Sequence, residues 1–393
     1  MKIAVFSDVH ITLKSHDPSE KFEKGYNLLK KEAGEFDALF ISGDLTDYGK
    51  KEEIEKFKAS LDKVLTNEKL FFSMGNHDIG YSDSDRRENV KIFNEVLKDY
   101  LIPPIIKDEF DEKMAACGNT RWDFNGVGII AICPTSYPLE DIPLLDKDAA
   151  QFLRRSLEEF SDRPCYLLIH TPVLDTVFPY ARNFWSCGNI FDIINKYNNV
   201  LLLSGHIHHP LQDERALYLG NFSAIACPSS VYVLVLGGFI ETFKTCFFPD
   251  AWDFAQGMYL DVDGYDVKCR KFDIMKEKEI KSPWEFKIGQ KDFREIPKKA
   301  PLFTKEMIKL ENGNIEFSTN DYFHHFVIKI NDSITKVCSG FYNCPNGKSN
   351  PLIKIPLSDF IKEKGDYTAE IFAVDFYDNQ SEKVFLDFTY NMI

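Results

Sequence analysis

Three features are scarce in this sequence: long apolar runs, paired cysteines and an excess of positive charge. The longest apolar stretch, residues 231–240, has the length of a strand, whereas a membrane-spanning helix needs about 18 or more apolar residues. Lysine and arginine number 47 against 61 aspartates and glutamates, which gives a formal net charge of −14. We therefore expect no membrane span and no broad basic surface for duplex nucleic acid.

The nine cysteines form no CxxC pair, and their number is odd. Several of them lie inside apolar runs, as Cys133 does, so we expect buried reduced thiols rather than a disulfide framework. The chain opens with an apolar segment that is interrupted by Asp8 and His10 and has no small-residue cleavage site. This pattern predicts a first strand rather than a signal peptide, and hence a cytoplasmic protein.

The length of the chain predicts one large domain and one smaller domain, because 393 residues exceed the roughly 250–300 at which single cores usually stop growing. The large domain is predicted at residues 1–275, and its first 240 or so residues alternate between strand-length apolar runs and amphipathic stretches such as Ile54, Phe57 and Leu61, whose spacing is helical. Strands are predicted at 2–7, 38–42, 70–74, 127–133, 166–170 and 200–204. This alternation is typical of an α/β sheet covered by helices.

The rest of the chain has a different character. A hairpin signal around Asp263-Gly264 would close the large domain near residue 275. Residues 276–304 are rich in Lys, Glu and Pro, so we interpret them as a linker or as a strand that crosses the surface. Residues 305–393 alternate short apolar runs with turn signals such as Asn312-Gly313, which predicts a small β-sandwich.

Residues that can bind metal follow five of the predicted strands. The blocks are Asp8-Val9-His10, Gly43-Asp44, Gly75-Asn76-His77-Asp78, His170 and Gly205-His206-Ile207-His208. In an open α/β sheet, ligands bind at the carboxyl ends of the strands, so these blocks can converge on one crevice. One such block alone would be weak evidence, since a Gly-Asp pair is usually a turn. Five blocks that each follow a strand are hard to obtain by chance.

The side chains in these blocks indicate a particular kind of metal site. Two aspartates, one asparagine and four histidines are available as ligands, and oxygen and imidazole donors without cysteine suit Mn, Fe, Zn or Co. Seven donors are too many for one ion, but they fit two ions that share a carboxylate. In Asp-x-His and His-x-His, both side chains point the same way from an extended segment and can face one ion.

This series of blocks resembles the calcineurin-like metallophosphoesterase superfamily over residues 1 to about 240. The resemblance implies a four-layer α/β/β/α sandwich with a binuclear metal site, followed here by the small β-sandwich. It implies two divalent ions, one held by Asp8, His10, Asp44 and His208, the other by Asp44, Asn76, His170 and His206. A hydroxide bridging these ions would attack phosphorus while His77 acts as the general acid and Asp78 orients its imidazole.

The subfamily is less clear from the sequence. Purple acid phosphatases need a tyrosine ligand where this chain has Asp47, whereas 43–49 and 227–230 are similar to the class III cyclic-nucleotide phosphodiesterases. Asp47 and Tyr48 fit a helix N-terminus equally well. We therefore expect a phosphodiesterase that acts on a small phosphate ester. The alternatives are a phosphomonoesterase or protein phosphatase of the same fold, and a non-catalytic scaffold whose C-terminal sandwich binds a partner.

Some features outside these blocks also bear on function. Residues 365–381 resemble strand F of fibronectin type III or immunoglobulin-like domains, with Tyr367 as the corner tyrosine. Such a domain would serve packing or assembly, including a homodimer. An aromatic loop could cap the metals or pack on the domain edge; its residues are Phe178, Tyr180, Arg182, Asn183 and Trp185. We expect His209 to support the site or be exposed, and His16, His324 and His325 to lie on the surface.

Overall fold

Short buried strands and amphipathic helices alternate along most of the chain in a computed structural model. The structure describes residues 1–14, 18–79, 83–133, 145–177, 187–234, 252, 254–291, 300, 302–318, 323, 325–331, 333–339, 352–359, 361–375, 377 and 379–391. The chain divides into two compact units, which we describe separately. The first comprises Met1–Leu211, Arg215–Val233 and Phe254–Asp292, and the second consists mainly of Phe293–Ile393.

The first unit contains thirteen strands and seven α-helices within its described residues. The strands are β1 (Lys2–Phe6), β2 (Ala38–Ser42), β3 (Lys69–Ser73), β4 (Thr120–Phe124), β5 (Val127–Ile132), β6 (Cys165–Ile169), β7 (Val200–Ser204), β8 (Leu217–Leu219), β9 (Ser223–Ala226), β10 (Gln256–Asp263), β11 (Asp266–Asp273), β12 (Lys278–Glu279) and β13 (Trp284–Lys287). The helices are α1 (Ser19–Ala33), α2 (Lys51–Val64), α3 (Asn76–Ile79), α4 (Asp83–Leu97), α5 (Glu109–Ala115), α6 (Lys147–Glu159) and α7 (Phe191–Ile194).

Two sheets form the centre of this unit. The first has the order β12-β11-β10-β1-β2-β3, with β13 also paired to β11, and the second has the order β4-β5-β6-β7-β9-β8. Strands β1, β2 and β3 are parallel to one another, as are β5, β6, β7 and β9. The carboxyl ends of these parallel strands are therefore the places where loops can meet.

The layers follow from the alternation of side chains along the strands. In β2, Leu39 and Ile41 join a core with residues of α1, α2 and α4. Phe40 points the other way and contacts Tyr166 of the second sheet, with ring centroids 5.8 Å apart. Because α6 also buries an apolar face, including Phe152, the unit is a mixed α/β fold of helices, sheet, sheet and helices, as predicted.

The structure corrects the predicted start of the linker. Within 276–304, β12 and β13 both pair with β11, so the first unit extends to Asp292 rather than ending near residue 275. The Lys- and Glu-rich composition reflects strands at the margin of the sheet, with charged residues such as Glu285 and Lys287 on their exposed face. The hairpin between β10 and β11 turns through Gly264 and Tyr265, with Gly264 at φ 58°.

The second unit contains two antiparallel sheets. Its strands are β14 (Ile308–Glu311), β15 (Asn314–Ser318), β16 (His325–Ile330), β17 (Ser333–Ser339), β18 (Leu352–Pro356), β19 (Gly365–Val374) and β20 (Val384–Tyr390). One sheet has the order β14-β15-β18 and the other β17-β16-β19-β20, and both contribute to one apolar core. Asn312 and Gly313 turn at positive φ between β14 and β15. These sheets are consistent with the predicted small β domain, while its fibronectin or immunoglobulin-like identity stays a prediction.

Other expectations can be compared directly with the described residues. Cys117, Cys133, Cys165, Cys187, Cys227 and Cys269 are buried free thiols. Tyr367 donates its hydroxyl to the carbonyl of Glu363 at 3.1 Å, the local bond expected of a corner tyrosine. His325 is buried in β16 at 3% exposure, so the prediction that it lies on the surface was wrong. In the described part of the chain, no helix is long and apolar enough to cross a membrane.

Candidate metal centre

Loops from both sheets of the first unit bring the predicted site residues together. Asp8 and His10 follow β1, Asp44 follows β2, and Asn76 begins α3 directly after β3. His170 follows β6, while His206 and His208 follow β7. Each of these strands ends at the same edge of its parallel sheet, which is why Asp8 and His206, 198 positions apart, come into contact.

The first group of donors consists of Asp8, His10 and His208, each of which offers one ligand atom within 4.8 Å of the others. The Oδ1 atom of Asp8 lies 3.1 Å from Nε2 of His208 and 4.0 Å from Nε2 of His10. All three residues are buried. A carboxylate and two imidazoles that converge in this way form a suitable metal-binding group.

The second group consists of Asp44, His170 and His206. The Oδ2 atom of Asp44 lies 3.0 Å from Nε2 of His170, which in turn lies 3.2 Å from Nδ1 of His206. The same Oδ2 atom is 3.6 Å from Nε2 of His10, a member of the first group. Asp44 therefore contacts both groups, as a bridging ligand must. His77 forms a further group with His10 and Asp44.

Two buried atoms of the cluster that could bind a metal ion lack a hydrogen-bond partner among the described residues. They are Oδ1 of Asn76 and Nε2 of His10. Burying a polar atom without a partner costs free energy, typically about 1–3 kcal/mol. A metal ion bound by these atoms would remove that cost. The donor set thus fits the divalent ions that the resemblance implies.

Three of the histidines are oriented by backbone carbonyls. The Nδ1 atom of His170 donates to Ser42 at 2.7 Å, that of His77 to Asp47 at 2.9 Å, and that of His208 to Tyr232 at 3.1 Å. A ring nitrogen that faces a carbonyl must carry the proton, so the proton of a neutral ring sits on Nδ1 and Nε2 keeps its lone pair. For His170 and His208 that lone pair faces the carboxylates of the cluster, as metal ligation requires.

The backbone of the cluster adopts an uncommon conformation. Five of the predicted ligands have positive φ: Asp8 at 51°, His10 at 50°, Asp44 at 52°, His206 at 72° and His208 at 48°. Non-glycine residues seldom occupy this region, and residues held there concentrate at functional sites. Hydrogen bonds between the loops hold the conformation, since the amides of Val9 and His10 both donate to the carbonyl of Asp44.

Two glycines are required by close contacts in the site. Gly43 has φ +86°, and a Cβ atom there would lie 2.4 Å from Nδ1 of His170. A Cβ atom on Gly75 would lie 2.0 Å from Oδ1 of Asp44. Neither site loop could keep its position if these residues carried a side chain.

The electrostatics of the cluster favour ionised carboxylates. Burial alone would raise the pKa of Asp8 and Asp44, but the neighbouring histidines outweigh it and hold both below the usual range. Burial would lower the pKa of His170, yet the carboxylates of Asp44 and Asp8 raise it to about 9. Burial and the nearby His170 lower the pKa of His206 to about 3. The group therefore presents buried negative charge that attracts cations.

Asp78 occupies a different position from the one predicted. Its carboxylate accepts hydrogen bonds from the amides of Leu45, Thr46 and Gly75 at 2.9–3.1 Å and from the Thr46 hydroxyl at 2.8 Å. It therefore links the loops after β2 and β3, and within the described residues its carboxylate hydrogen bonds go to these loops and not to the imidazole of His77. Burial, with Asp44 nearby, raises the pKa of Asp78 to about 6.

Asp47 is the residue that contacts the His77 ring. Besides the carbonyl bond, its Oδ1 atom lies 3.7 Å from Nδ1 of His77 and 3.5 Å from Nδ1 of His10. The hydrogen bond from His10 lowers the pKa of the Asp47 carboxyl, against the effect of burial. From the sequence, Asp47 was expected to stand in place of a tyrosine ligand, to belong to a segment similar to class III phosphodiesterases, or to begin a helix, but not to contact His77. The sequence signal that could have identified Asp47 as a site residue was its position shortly after Gly43-Asp44.

The segment 227–230 supports the first loop. The amide of Ser7 donates to the carbonyl of Pro228 at 2.9 Å, and the Ser229 hydroxyl donates to the carbonyl of Asp8 at 3.3 Å. His209 is buried rather than exposed. Phe178, Tyr180, Arg182, Asn183 and Trp185, with His16 and His324, lie outside the described residues.

Comparison with known proteins adds a family match. A sequence model of the calcineurin-like phosphoesterase family matches residues 1–210. A UPF0046 protein of Caenorhabditis elegans is 23% identical over 175 residues, which cover 44% of this chain and 56% of that protein. The chain thus spans little more than half the length of this relative.

Solved structures with similar chains were also found. A purple acid phosphatase from yellow lupin (Lupinus luteus) seeds is 12% identical with a TM-score of 0.48, covering 75% of this chain and 54% of that one. A 5′-nucleotidase precursor from Thermus thermophilus is 11% identical with a TM-score of 0.35, covering 70% and 54%. Vacuolar Protein Sorting 29 from Cryptosporidium parvum is 13% identical with a TM-score of 0.31, covering 73% and 97%.

Proposed function

Because the chain belongs to the calcineurin-like phosphoesterase family, a family of phosphoric ester hydrolases, we propose that it hydrolyses phosphate esters with two divalent metal ions. The observation that carries the proposal is that Asp44, a member of the group with His170 and His206, also contacts His10 of the group with Asp8 and His208. The proposed ligands of one ion are Asp8, His10, Asp44 and His208, and those of the other are Asp44, Asn76, His170 and His206. Mn, Fe and Zn all suit this donor set.

When bound, two such ions neutralise charge on the phosphate and lower the pKa of a bound water. The protein's part is to hold the donors in place. Asp8 accepts from the amide of His206, so the loops after β1 and β7 keep their spacing. Asp44 accepts from the amide of His77 at 3.0 Å, which leaves its Oδ2 atom for the ions.

His77 is suited to donate a proton to the leaving oxygen. Its side chain is 39% exposed, more than that of His10, His170 or His208, so a substrate can reach it. The bond from Nδ1 to the Asp47 carbonyl sets the ring orientation and leaves Nε2 for the substrate. We assign His77 as the general acid, with Asp47 as the residue that positions it, and Asp78 as the residue that holds the two loops together.

We further propose that the substrate is a small phosphodiester. A diester carries one negative charge near neutral pH and a monoester close to two. The Asp47 carboxylate, 3.7 Å from the His77 ring, adds negative charge on the side where the leaving group would lie. Such a site disfavours the more highly charged monoester.

The test is to assay the Mn²⁺-loaded protein on bis(p-nitrophenyl) phosphate and p-nitrophenyl phosphate side by side. We expect faster cleavage of the diester and loss of that activity with chelator. Asp44→Asn should lose metal and activity together, whereas Asp62→Asn, on the exposed face of α2, should retain both. Faster monoester cleavage would refute the diester assignment. If protein that contains two equivalents of metal cleaves neither ester, the proposal that it hydrolyses simple phosphate esters is contradicted.

A further inference from the structure

A cavity of about 360 Å³ lies beside β3, and none of the proposed metal ligands lines it. Two strands and a helix supply most of its wall: Leu70 and Phe72 of β3, Val90 and Phe93 of α4, and Thr120 and Trp122 of β4, with Ala115 at the end of α5. Strands β3 and β4 are each at the end of their sheet. The cavity therefore forms where the two sheets end and the helix layer begins.

Hydrogen bonds to main-chain carbonyls hold the rim of the cavity in place. The amide of Leu70 donates to the carbonyl of Tyr100 at 3.0 Å, and Nε1 of Trp122 donates to the carbonyl of Ile102 at 3.1 Å. The amide of Ile105 donates to the carbonyl of Arg121 at 2.8 Å. Because the segment 100–105 is fixed at both ends, the cavity is formed before any ligand binds, as small-molecule sites usually are.

The wall is mainly apolar and has one charged residue among those that line it, Lys98. Lys98 and Asn94 are both exposed, whereas Phe72, Leu101 and Ile102 are only partly buried. The lining has no carboxylate and no histidine, so it could not hold a metal ion. Its few polar groups could not satisfy a sugar or a nucleotide either. A ligand with an apolar body and one anionic group matches the chemistry of this wall.

We propose that this cavity binds a medium-chain fatty acid, with its alkyl chain inside and its carboxylate at Lys98. The volume of about 360 Å³ lies at the low end of the range for small-molecule sites, about 300–1,000 Å³, which suits a medium-chain acid. Lys98 also follows the last residue of α4, and a cation at that end of a helix stabilises the helix even when no ligand is bound. A test must therefore measure ligand binding rather than stability.

Trp122 provides the assay, because bromine quenches tryptophan fluorescence at short range. The full-length protein, treated with chelator so that the metal centre cannot bind a carboxylate, is titrated with 12-bromododecanoate. We expect saturable quenching that unbrominated dodecanoate reverses. Affinity should rise about fourfold per methylene from octanoate to dodecanoate, the effect of burying each group, and then level off. Dodecyltrimethylammonium should bind more weakly.

Two variants with matched controls locate the site. Ala115→Phe places a ring in the cavity from the end of α5 and should abolish quenching, whereas Ala116→Phe on the exposed side should not. Lys98→Glu should weaken binding about three- to tenfold, and Lys91→Glu, exposed on the same helix but outside the lining, should leave it unchanged. If Ala115→Phe does not fold, the comparison of Lys98→Glu with Lys91→Glu and the series of chain lengths still test whether the fatty acid binds in this cavity. Quenching that is equal for both head groups, or unaffected by Ala115→Phe, would overturn the proposal.

Discussion

The substitution Gly75→Ala tests how closely the metal centre depends on the position of Asp44. A Cβ atom on residue 75 would lie 2.0 Å from Oδ1 of Asp44 and 2.5 Å from its backbone nitrogen, whereas ordinary contact begins near 3.4 Å. The Asp44 loop must therefore move by more than an ångström. Gly75 does not have positive φ, so the backbone itself accepts alanine and the contact is the cause.

That movement would break the hydrogen bond from the His77 amide to Asp44 and shift the shared carboxylate away from both donor groups. Misplacing a catalytic group by about 1 Å can cost roughly 10²-fold in rate, and overpacking a buried site costs about 1–3 kcal/mol of stability. We expect kcat/KM for a diester to fall about 100-fold and metal content to fall with it.

The assay compares kcat/KM and metal content at a temperature where both proteins are folded, as judged by circular dichroism. Gly365→Ala is the control, because its new Cβ would make only ordinary contacts with Tyr367, at 3.5 Å or more, far along the chain from any proposed ligand. We expect Gly365→Ala to retain activity and metal, since residue 365 begins β19 and its backbone does not have positive φ. A Gly75→Ala protein with full metal content and full activity would refute the geometry of the Asp44 loop.

Three further predictions follow from particular contacts. His77→Gln should keep both metals but turn over about 10²–10⁴-fold more slowly, with a smaller loss on substrates whose leaving groups need no proton; an equal loss on all substrates would count against the general acid. Asp47→Asn keeps the carbonyl bond to His77 and should lower kcat by about tenfold while leaving metal content intact, which steady-state kinetics and metal analysis can check together. Burial lowers the pKa of His325 to about 4, below the ordinary value near 6.5. The neutral ring's contribution to the free energy of unfolding is therefore present above pH 6.5 and is lost as the pH falls through 4. The total loss is about 3 kcal/mol. Hydrogen exchange of β16 at pH 5 should then be faster in the wild type than in His325→Leu, and equal rates would rule out this histidine as the cause.

The strands and the five ligand blocks could be predicted because their signals are local. Apolar runs of strand length end in a glycine or an acid, and parallel strands place those ends at one edge. The runs predicted at 38–42 and 200–204 coincide with β2 and β7 residue for residue. The remaining boundaries of the predicted strands differ by a residue or so at the ends.

The partners of Asp78 could not be predicted, because they depend on how two loops meet. Leu45 and Thr46 are 33 and 32 residues away along the chain, and no local pattern links them to a carboxylate after β3. An Asp next to a His in sequence suggested a pair, but residue 78 is the third position of α3, and its side chain faces the loop after β2. The same reasoning applies to β12 and β13, which join the sheet despite a composition typical of a linker.

Under the proposed function, seven side chains hold two metal ions that share Asp44. Anomalous diffraction from a crystal of the protein grown with Mn²⁺ tests it most directly. We expect two peaks about 3.5–4 Å apart, one beside Asp8, His10 and His208, the other beside Asn76, His170 and His206, with Asp44 between them. A single peak, or two peaks that do not share Asp44, would contradict the account.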